Sequence, residues 1–307
     1  MTDITYLGVE LGGTKCVCTL ASGPDAIIAQ HRIPTTEPGE TLGAIERVLD
    51  DWMTDHRPVS LGLASFGPID LDPDSPTYGH ITATTKPGWK NASVAQRFAR
   101  STGLPTAIDT DVAGAALAEG RWGGAKGLSS FAYITVGTGV GAGIVVGGRS
   151  VRGLGHPEAG HMHVARMPGD AWPGACTFHG DCVEGLASGF AIEQRSGRPA
   201  SEIAADDPVW AAVAHTLAGM CHNLVMTAVP ERILIGGGVV TRQPQILPMV
   251  RQRLVASLAG YGDAIAVTGR IERFIASPAL GDQAGPLGAI ALALDAAKAG
   301  QAAPAGV

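Results

Sequence analysis

Short apolar runs alternate along this chain with stretches of helical periodicity. Residues 6–20 form two apolar runs separated by Gly12-Gly13, which predicts two strands joined by a glycine turn. Residues 59–64 are a further apolar run and predict another strand. Between these runs lies a set that predicts an amphipathic helix ending before residue 56: Leu42, Ile45, Leu49, Trp52 and Met53. The alternation of strands and helices predicts an α/β protein.

Two helices are expected in the following segment. Asn91 is a candidate N-cap for a helix that carries Phe98 on its apolar face. Residues 104–108 then lead into a second helix, residues 112–119, which we expect to stop at Gly120.

The second half of the chain repeats the opening layout. Residues 131–136 and 143–146 are apolar runs on either side of a glycine-rich turn. We align Gly12-Gly13-Thr14 with Gly137-Thr138-Gly139, although coincidence in a chain with 43 glycines would explain the match equally well. If the repeat is genuine, it predicts two related lobes, each of which offers a hairpin to a shared cleft.

Three elements complete the pattern. Asp207 as N-cap and Pro208 at the first helical position begin a long helix, apolar on most sides, which predicts a core helix. Residues 232–235 form a strand that runs into Gly236-Gly237-Gly238, and a final helix is expected near residues 288–297. The Ala/Gly/Pro tail beyond it is expected to fray.

Composition excludes several classes of protein. A formal charge of −6 disfavours a nucleic-acid binder, which usually carries a basic face. No run reaches the roughly 18 apolar residues that span a membrane, so no membrane partner is expected. The five cysteines and the polar Met1-Thr2-Asp3 start predict a reduced, cytoplasmic protein with mostly buried thiols.

Two glycine turns are candidate phosphate sites. Residues 10–15, Glu-Leu-Gly-Gly-Thr-Lys, combine exposed backbone amides with a hydroxyl, a lysine and a carboxylate that could hold Mg²⁺ through water. The second turn has the Gly137-x-Gly139-x-x-Ala142 spacing of a dinucleotide fingerprint. That fingerprint needs a helix after the turn, and a strand-like run follows here, so we prefer a phosphate-binding hairpin. A plain hairpin remains an equal alternative at the first turn.

A cysteine and histidine cluster is the most specific local pattern. Cys176-x-x-His179-x-x-Cys182 has spacing that can close around Zn²⁺, with a distal fourth ligand completing a tetrahedron. Spacing alone leaves His156, His161 and His163 as candidates for that ligand. A site filled entirely by protein ligands would be structural.

Asp109 and Asp111 lie at the start of a predicted helix. One of them could be an N-cap, worth about 1 kcal/mol. One could instead be a general base that accepts a sugar hydroxyl proton during phosphoryl transfer. The residues alone do not choose between the two aspartates.

Taken in order, these segments resemble the ROK family of sugar kinases and repressors over residues 7–293. The two phosphate motifs are residues 10–15 and 135–139, and the adenosine-side motif is residues 235–238. The entry to the C-terminal helix is residues 285–289, and the zinc signature has two parts, residues 158–161 and 176–184. The resemblance implies the actin/hexokinase-like (ribonuclease H-like) two-lobed ATPase fold. It implies a small lobe from residues 1–112 plus 290–307, and a large lobe, residues 113–289, that carries the zinc.

The resemblance also implies roles for individual residues. It gives the catalytic role to Asp111, with Asp109 in support, and makes His161 the fourth ligand of a structural zinc. Sugar binding is implied for Thr85, Glu158, His161 and Glu184; zinc binding for His161, Cys176, His179 and Cys182; and magnesium binding, through water, for Glu10. ATP binding is implied for Gly12, Gly13, Thr14, Lys15, Gly137, Thr138, Gly139, Gly189, Gly236, Gly237 and Gly238.

Within this family the bacterial fructokinases are the most similar group. They share Glu10 where other members have aspartate, and the mixed Cys-x-x-His-x-x-Cys cluster. Thr85 and Thr110 stand where glucokinase-like members show asparagine. Ala113 and Phe190 depart from the family pattern, so the resemblance leaves fine sugar selectivity and nucleotide fit open.

The implied reaction is transfer of the γ-phosphate of ATP to the 6-hydroxyl of D-fructose, in a homodimer. Kinases of mannose, glucose or N-acetylmannosamine are the alternatives. A sugar-sensing regulator is disfavoured, because the first strand begins by residue 4 and leaves no room for an N-terminal helix-turn-helix.

Overall fold

The computed structural model describes residues 4–302. The predicted frayed tail and the Met1-Thr2-Asp3 start lie largely outside this range. The chain forms two compact units. Of the described residues, the first unit contains 4–123, the segment Val151–His156 and 280–302; the second contains Gly124–Ser150 and Pro157–Ala279.

Ten strands and eleven α-helices are assigned within residues 4–302. The strands are β1 Thr5–Leu11, β2 Lys15–Gly23, β3 Ala26–Pro34, β4 Pro58–Ser65, β5 Thr106–Thr110, β6 Phe131–Val136, β7 Val140–Val146, β8 Arg149–Ser150, β9 Arg232–Gly236 and β10 Ile275–Ala276. The helices are α1 Pro38–Asp55, α2 Ala95–Thr102, α3 Asp111–Trp122, α4 Val183–Ala187, α5 Gly189–Ser196, α6 Val209–Thr227, α7 Gly238–Arg242, α8 Ile246–Leu258, α9 Ala264–Thr268, α10 Ile271–Phe274 and α11 Ala284–Ala302.

The two units share one sheet topology. In the first unit the strand order is β3-β2-β1-β4-β5, with an antiparallel meander β1-β2-β3 and parallel pairing of β4 to β1 and β5 to β4. The second unit has the order β10-β9-β6-β7-β8, with the meander β6-β7-β8 and parallel pairing of β9 and β10. This correspondence confirms the predicted internal repeat, in which β1 is equivalent to β6.

Small residues let α11 pack closely in the first unit. A Cβ on Gly62 of β4 would collide with the Ala289 carbonyl oxygen, and a Cβ on Gly288 would collide with the backbone of Gly114 in α3. The helix therefore lies in direct backbone contact with both elements. The core on the other side of this sheet holds Leu7, Leu49 and Trp89, all fully buried.

The core of the second unit is built around α6. This helix has 19 residues and is long and apolar enough to match a membrane span by length and composition. However, 61% of its apolar 18-residue stretch is buried inside the protein. Trp210, Leu217 and Cys221 lie in one cluster with β6 and β9. The prediction of a core helix here is confirmed.

Several predicted boundaries are wrong. Asn91 does not cap a helix, because it has a φ of 65° in a turn and α2 begins at Ala95. Helix α3 runs past Gly120 to Trp122. The final helix begins four residues earlier than expected and continues beyond residue 297. Strand β3 and helix α8 were not predicted.

The compact units begin and end at other residues than the predicted lobes. Helix α3 belongs to the first unit rather than to the predicted large lobe of residues 113–289, and so do residues 280–289. The reason is packing, since α3 and α11 lie against each other and against β4.

Candidate active site and metal centre

The first glycine turn joins β1 to β2 and exposes its backbone. Gly12 donates its N–H to the Lys15 carbonyl at 3.0 Å, and its own carbonyl accepts from Thr35 Oγ1 at 2.7 Å. A Cβ on Gly12 would lie 2.6 Å from the Lys15 oxygen, whereas a Cβ on Gly13 would meet nothing within 4 Å. Gly13 and Thr14 are exposed, so the tip can present amides to a phosphate.

Glu10 lies on β1 immediately before this turn. Its carboxylate packs so tightly on α11 that a Cβ on Gly285 would collide with it. Burial, followed by the charge of Asp111, raises the pKa of Glu10 to about 7, and Lys15 and Arg32 partly oppose this. A divalent cation beside this carboxylate would offset both causes, so the donor chemistry fits a magnesium site.

Asp109 is committed to an internal ion pair. The residue is 1% exposed, and its Oδ2 accepts from Arg152 at 2.8 Å while Oδ1 accepts the Thr110 amide at 2.8 Å. Thr110, rather than either aspartate, caps α3 by accepting the Ala113 amide at 3.1 Å. Of the two alternatives for these aspartates, the one in which an aspartate caps this helix is therefore wrong. Arg152 was missed by the sequence analysis, because it lies 43 residues from Asp109 with no local signal.

Asp111 has a different environment at the first position of α3. Its Oδ1 accepts the Val112 amide at 2.9 Å, and the side chain keeps partial exposure. Burial raises the pKa of Asp111 to about 6, and hydrogen bonds from backbone amides at the start of α3 partly lower it. A pKa raised toward neutrality suits the carboxylate of Asp111 to act as a general base.

The second glycine turn is held by the start of α5. Gly137 donates to the Gly139 carbonyl at 2.9 Å, Gly189 donates to the Gly137 carbonyl at 2.7 Å, and Phe190 donates to Thr138 at 3.3 Å. A Cβ on Gly189 would lie 2.8 Å from the Gly137 oxygen. The structure thus brings four of the predicted ATP-binding residues together.

The third glycine motif lies beside the same turn. Gly237 has a φ of 90°, and a Cβ there would lie 2.5 Å from the amide nitrogen of Val136, the residue before Gly137. Val239, in the first turn of α7, is 3.5 Å from a Cβ built on Gly189. The starts of α5 and α7 and the second glycine turn therefore converge in the second unit.

Four ligand-type residues form a compact cluster in the second unit. The ligand atoms of His161, Cys176, His179 and Cys182 all lie within 4.8 Å of one another. His161 Nδ1 lies 3.6 Å from each cysteine Sγ and 3.3 Å from His179 Nδ1. Cys176 Sγ lies 3.8 Å from His179 Nδ1.

These distances match the edges of a zinc tetrahedron. Zn–S bonds of about 2.3 Å and Zn–N bonds of about 2.0–2.1 Å require edges of roughly 3.3 Å for N···N and roughly 3.6 Å for S···N. The four separations given above lie within about 0.3 Å of these values. Two imidazoles and two thiols form a donor set that zinc prefers, so the residues fit the ion.

Backbone packing positions the ligands. His161 ends a short 3-10 turn, Ala159–His161, and a Cβ on Gly160 would collide with the Val140 carbonyl, so only glycine lets this turn approach β7. Cys176 and Gly180 exchange backbone hydrogen bonds at 3.1 and 2.9 Å, which closes the loop that carries His179. Cys182 is the N-cap of α4.

The other histidine candidates lie outside the cluster. His163 Nδ1 is 3.7 Å from Asp181 Oδ1 and is not among the four grouped residues. His156 belongs to the first unit, where its Nε2 accepts the Ile69 amide at 3.0 Å. Among the described residues, geometry therefore favours His161 as the fourth ligand.

Glu184 lies between the cluster and the second glycine turn. Its Oε1 is 4.0 Å from His161 Nε2, and its Oε2 accepts the Val140 amide at 3.1 Å. A Cβ on Gly139 would lie 2.5 Å from Oε2. Of the remaining predicted sugar residues, Thr85 is exposed in the first unit and Glu158 is exposed in the second.

Duplicated sheets of the order 3-2-1-4-5 with paired glycine turns define a ribonuclease H-like ATPase fold. The sequence matches the ROK family over residues 6–296, and the chain belongs to that family.

Named relatives agree with this assignment. The fructokinase of Zymomonas mobilis is 42% identical over 95% of this chain and 97% of its own length. The fructokinase of Pediococcus pentosaceus is 38% identical over 94% and 98%, respectively. The crystal structure of the ROK hexokinase from Thermus thermophilus has a TM-score of 0.77 at 27% identity, and covers 96% of this chain and 100% of its own.

Proposed function

We propose that this protein is an ATP-dependent fructokinase, which converts D-fructose and ATP into fructose 6-phosphate and ADP. One observation carries the chemical part of the proposal. Within a single compact unit, an exposed glycine turn follows Glu10, and Glu10 lies near enough to Asp111 for their charges to interact. The fructose preference is supported by the two fructokinases described above.

Backbone amides supply the phosphate contacts in this proposal. In the first unit the contacts come from Gly12, Gly13, Thr14 and Lys15; in the second they come from Gly137, Thr138, Gly139, Gly189, Gly236, Gly237 and Gly238. The exposed tip of the first turn and the convergence of the other segments support these roles. Magnesium, bound with ATP, supplies charge neutralisation, and Glu10 would hold it through water.

Asp111 acts as the general base. Its carboxylate accepts the proton from the 6-hydroxyl of fructose as that oxygen forms a bond to the γ-phosphorus. The bond from the γ-phosphorus to the β,γ-bridging oxygen breaks, and its electron pair leaves with ADP. Asp109 supports this role by fixing the strand end before α3 through Arg152.

Zinc has a structural role in this proposal. All four positions would be filled by His161, Cys176, His179 and Cys182, which leaves no site for a reacting group. Sugar contacts are proposed for Thr85, Glu158, His161 and Glu184, so the ion would order part of the sugar site without chemistry of its own. A homodimer in the cytoplasm stays a prediction.

A hexose panel tests the proposal directly. ADP formation is measured with fructose, mannose, glucose and N-acetylmannosamine at saturating Mg²⁺-ATP, and the phosphorylated position is identified by NMR. We expect the largest kcat/KM for fructose and a phosphate at position 6. A larger value for another hexose would overturn the fructose assignment, and no ADP with any of them would overturn the kinase assignment and favour a sugar-sensing regulator.

A further inference from the structure

A lysine outside the glycine turns contacts the first of them. The Nζ atom of Lys86 donates to the Gly13 carbonyl at 2.5 Å, although the two residues are separated by 73 positions. Gly13 is the exposed tip of the turn between β1 and β2, and both residues lie in the first unit.

The segment that carries this lysine is rigidly anchored. Trp89 is fully buried, donates its indole N–H to the Thr36 carbonyl at 2.8 Å, and packs edge-on against Phe66 at 5.1 Å between ring centroids. The Lys86 amide bonds to Thr84 Oγ1 at 3.2 Å, and the Lys86 carbonyl accepts the Trp89 amide at 3.3 Å. The backbone of Lys86 is thus fixed from both sides.

Among the described residues, no carboxylate forms an ion pair with Lys86. The side chain is half-buried, and within residues 4–302 its ammonium makes no ion pair. An ammonium has three donors, and the Gly13 carbonyl uses one of them. A fixed cation with spare donors at the tip of a phosphate-type turn has the chemistry to bind a phosphate oxygen.

We propose that Lys86 binds the terminal phosphate of the nucleotide at the first glycine turn. This inference rests on the proposed kinase function. Lys86 directly follows Thr85, a proposed sugar contact, so the cation lies next to the acceptor side of the transferred group. Binding there would offset the negative charge on the γ-phosphate. It would thereby reduce the repulsion between that phosphate and the attacking hydroxyl oxygen.

Three variants of the full-length, zinc-loaded protein test this assignment. Lys86→Met removes the charge and keeps much of the side-chain volume, Lys86→Arg keeps the charge, and Lys90→Met removes an exposed lysine four residues away. Binding of Mg²⁺-AMPPNP and of Mg²⁺-ADP is measured by calorimetry, together with kcat and the melting temperature.

A charge-assisted contact to the terminal phosphate predicts a selective loss. Lys86→Met should weaken AMPPNP binding by about 10- to 100-fold and ADP binding by less than about 3-fold. Lys86→Arg should recover most of the AMPPNP affinity, and Lys90→Met should behave as the wild type.

Two results would overturn the inference. One is AMPPNP affinity that is unchanged in Lys86→Met, and the other is an equal loss for both nucleotides together with a lower melting temperature, which would assign Lys86 a purely structural role. A wild-type protein that binds AMPPNP but forms no ADP with any hexose would refute the proposed kinase function alone, because the calorimetry still reports on Lys86.

Discussion

The carboxylate of Glu184 lies 4.0 Å from Nε2 of His161, while Nδ1 of the same ring faces the cysteine cluster. Its second oxygen accepts the Val140 amide at the edge of the second glycine turn. One carboxylate therefore links the orientation of a metal ligand to the backbone of a phosphate-type turn.

Removing this carboxylate should weaken the metal site without destroying it. Partners that orient a ligating histidine typically contribute about 10- to 100-fold to metal affinity. We expect Glu184→Ala to bind zinc more weakly by that factor, measured by competition with a chromophoric chelator. Glu193→Ala, an exposed acid on α5, is the matched control and should leave the affinity unchanged.

The choice of fourth ligand predicts opposite results for two nearby histidines. His161→Gln should abolish stoichiometric zinc, lower the melting temperature and weaken fructose binding, because both the ligand and a proposed sugar contact are lost. His163→Gln should retain one zinc per chain, since its ring faces Asp181 instead. Elemental analysis of the purified proteins checks this, and a metal-free wild type would contradict the zinc assignment altogether.

Sequence alone predicted the elements whose apolar residues recur with a clear period or form a continuous run. The strands around both glycine turns and the helix α6 have continuous or strongly periodic apolar patterns, and they were found. Strand β3 was missed because most of its side chains are exposed, so it shows no alternation. Its position is set by antiparallel pairing to β2, which the local sequence does not encode.

The wrong boundaries have tertiary causes. Helix α3 continues past Gly120 because Arg121 bonds to the Ala291 carbonyl at 2.6 Å and to Asp295 at 2.5 Å, which secures the last turn against α11. Asn91 is suited both to an N-cap and to a left-handed turn, and the turn is what the structure has.

In the candidate site, too, local patterns were predicted from the sequence and tertiary contacts were not. Spacing predicted three members of the cysteine and histidine cluster, because they lie within seven residues of one another. The fourth depends on the close approach of Gly160 to β7, which no spacing rule contains. Likewise, the ion pair with Arg152, which distinguishes Asp109 from Asp111, joins residues 43 positions apart and leaves no local signal.

Substitution of Asp111, at the start of α3, should affect catalysis, whereas substitution of Asp109, just before it, should affect stability. Asp111→Asn should lower kcat by at least about 10²-fold, the typical contribution of a general base, without lowering the melting temperature. Asp109→Asn leaves Arg152 without its carboxylate and should cost about 1–3 kcal/mol of folding free energy. Steady-state kinetics and denaturant unfolding separate the two, and near-normal turnover by Asp111→Asn would remove the base assignment.

The raised pKa of Asp111 predicts an acid limit for activity. Only the ionised carboxylate accepts a proton, and burial raises its pKa to about 6, so kcat/KM should fall about tenfold per pH unit below pH 6. An aspartate with an ordinary pKa of about 3.9 would hold activity down to about pH 4. A profile of kcat/KM that stays flat to pH 5 would contradict this.

The same pKa has a consequence for stability. Because the folded-state pKa lies above the unfolded value of 3.8, the contribution of Asp111 is fully present at low pH and is lost as the pH rises through about 6. Asp111→Asn stays neutral, so its stability relative to the wild type should increase as the pH rises from about 4 to about 6 and then level off. Urea unfolding at several pH values measures this difference.

A substitution at Gly237 tests whether the start of α7, which lies beside the second glycine turn, helps to hold the nucleotide. A side chain at a φ of 90° is strained, and a Cβ would lie 2.5 Å from both backbone polar atoms of Val136. We expect Gly237→Ala to cost about 2–4 kcal/mol of folding free energy and to weaken ADP binding more than tenfold, because strained and colliding positions both destabilise. Gly39→Ala, where a Cβ meets nothing within 4 Å, should be neutral or slightly stabilising. If Gly237→Ala bound ADP with wild-type affinity, the start of α7 would have no part in holding the nucleotide.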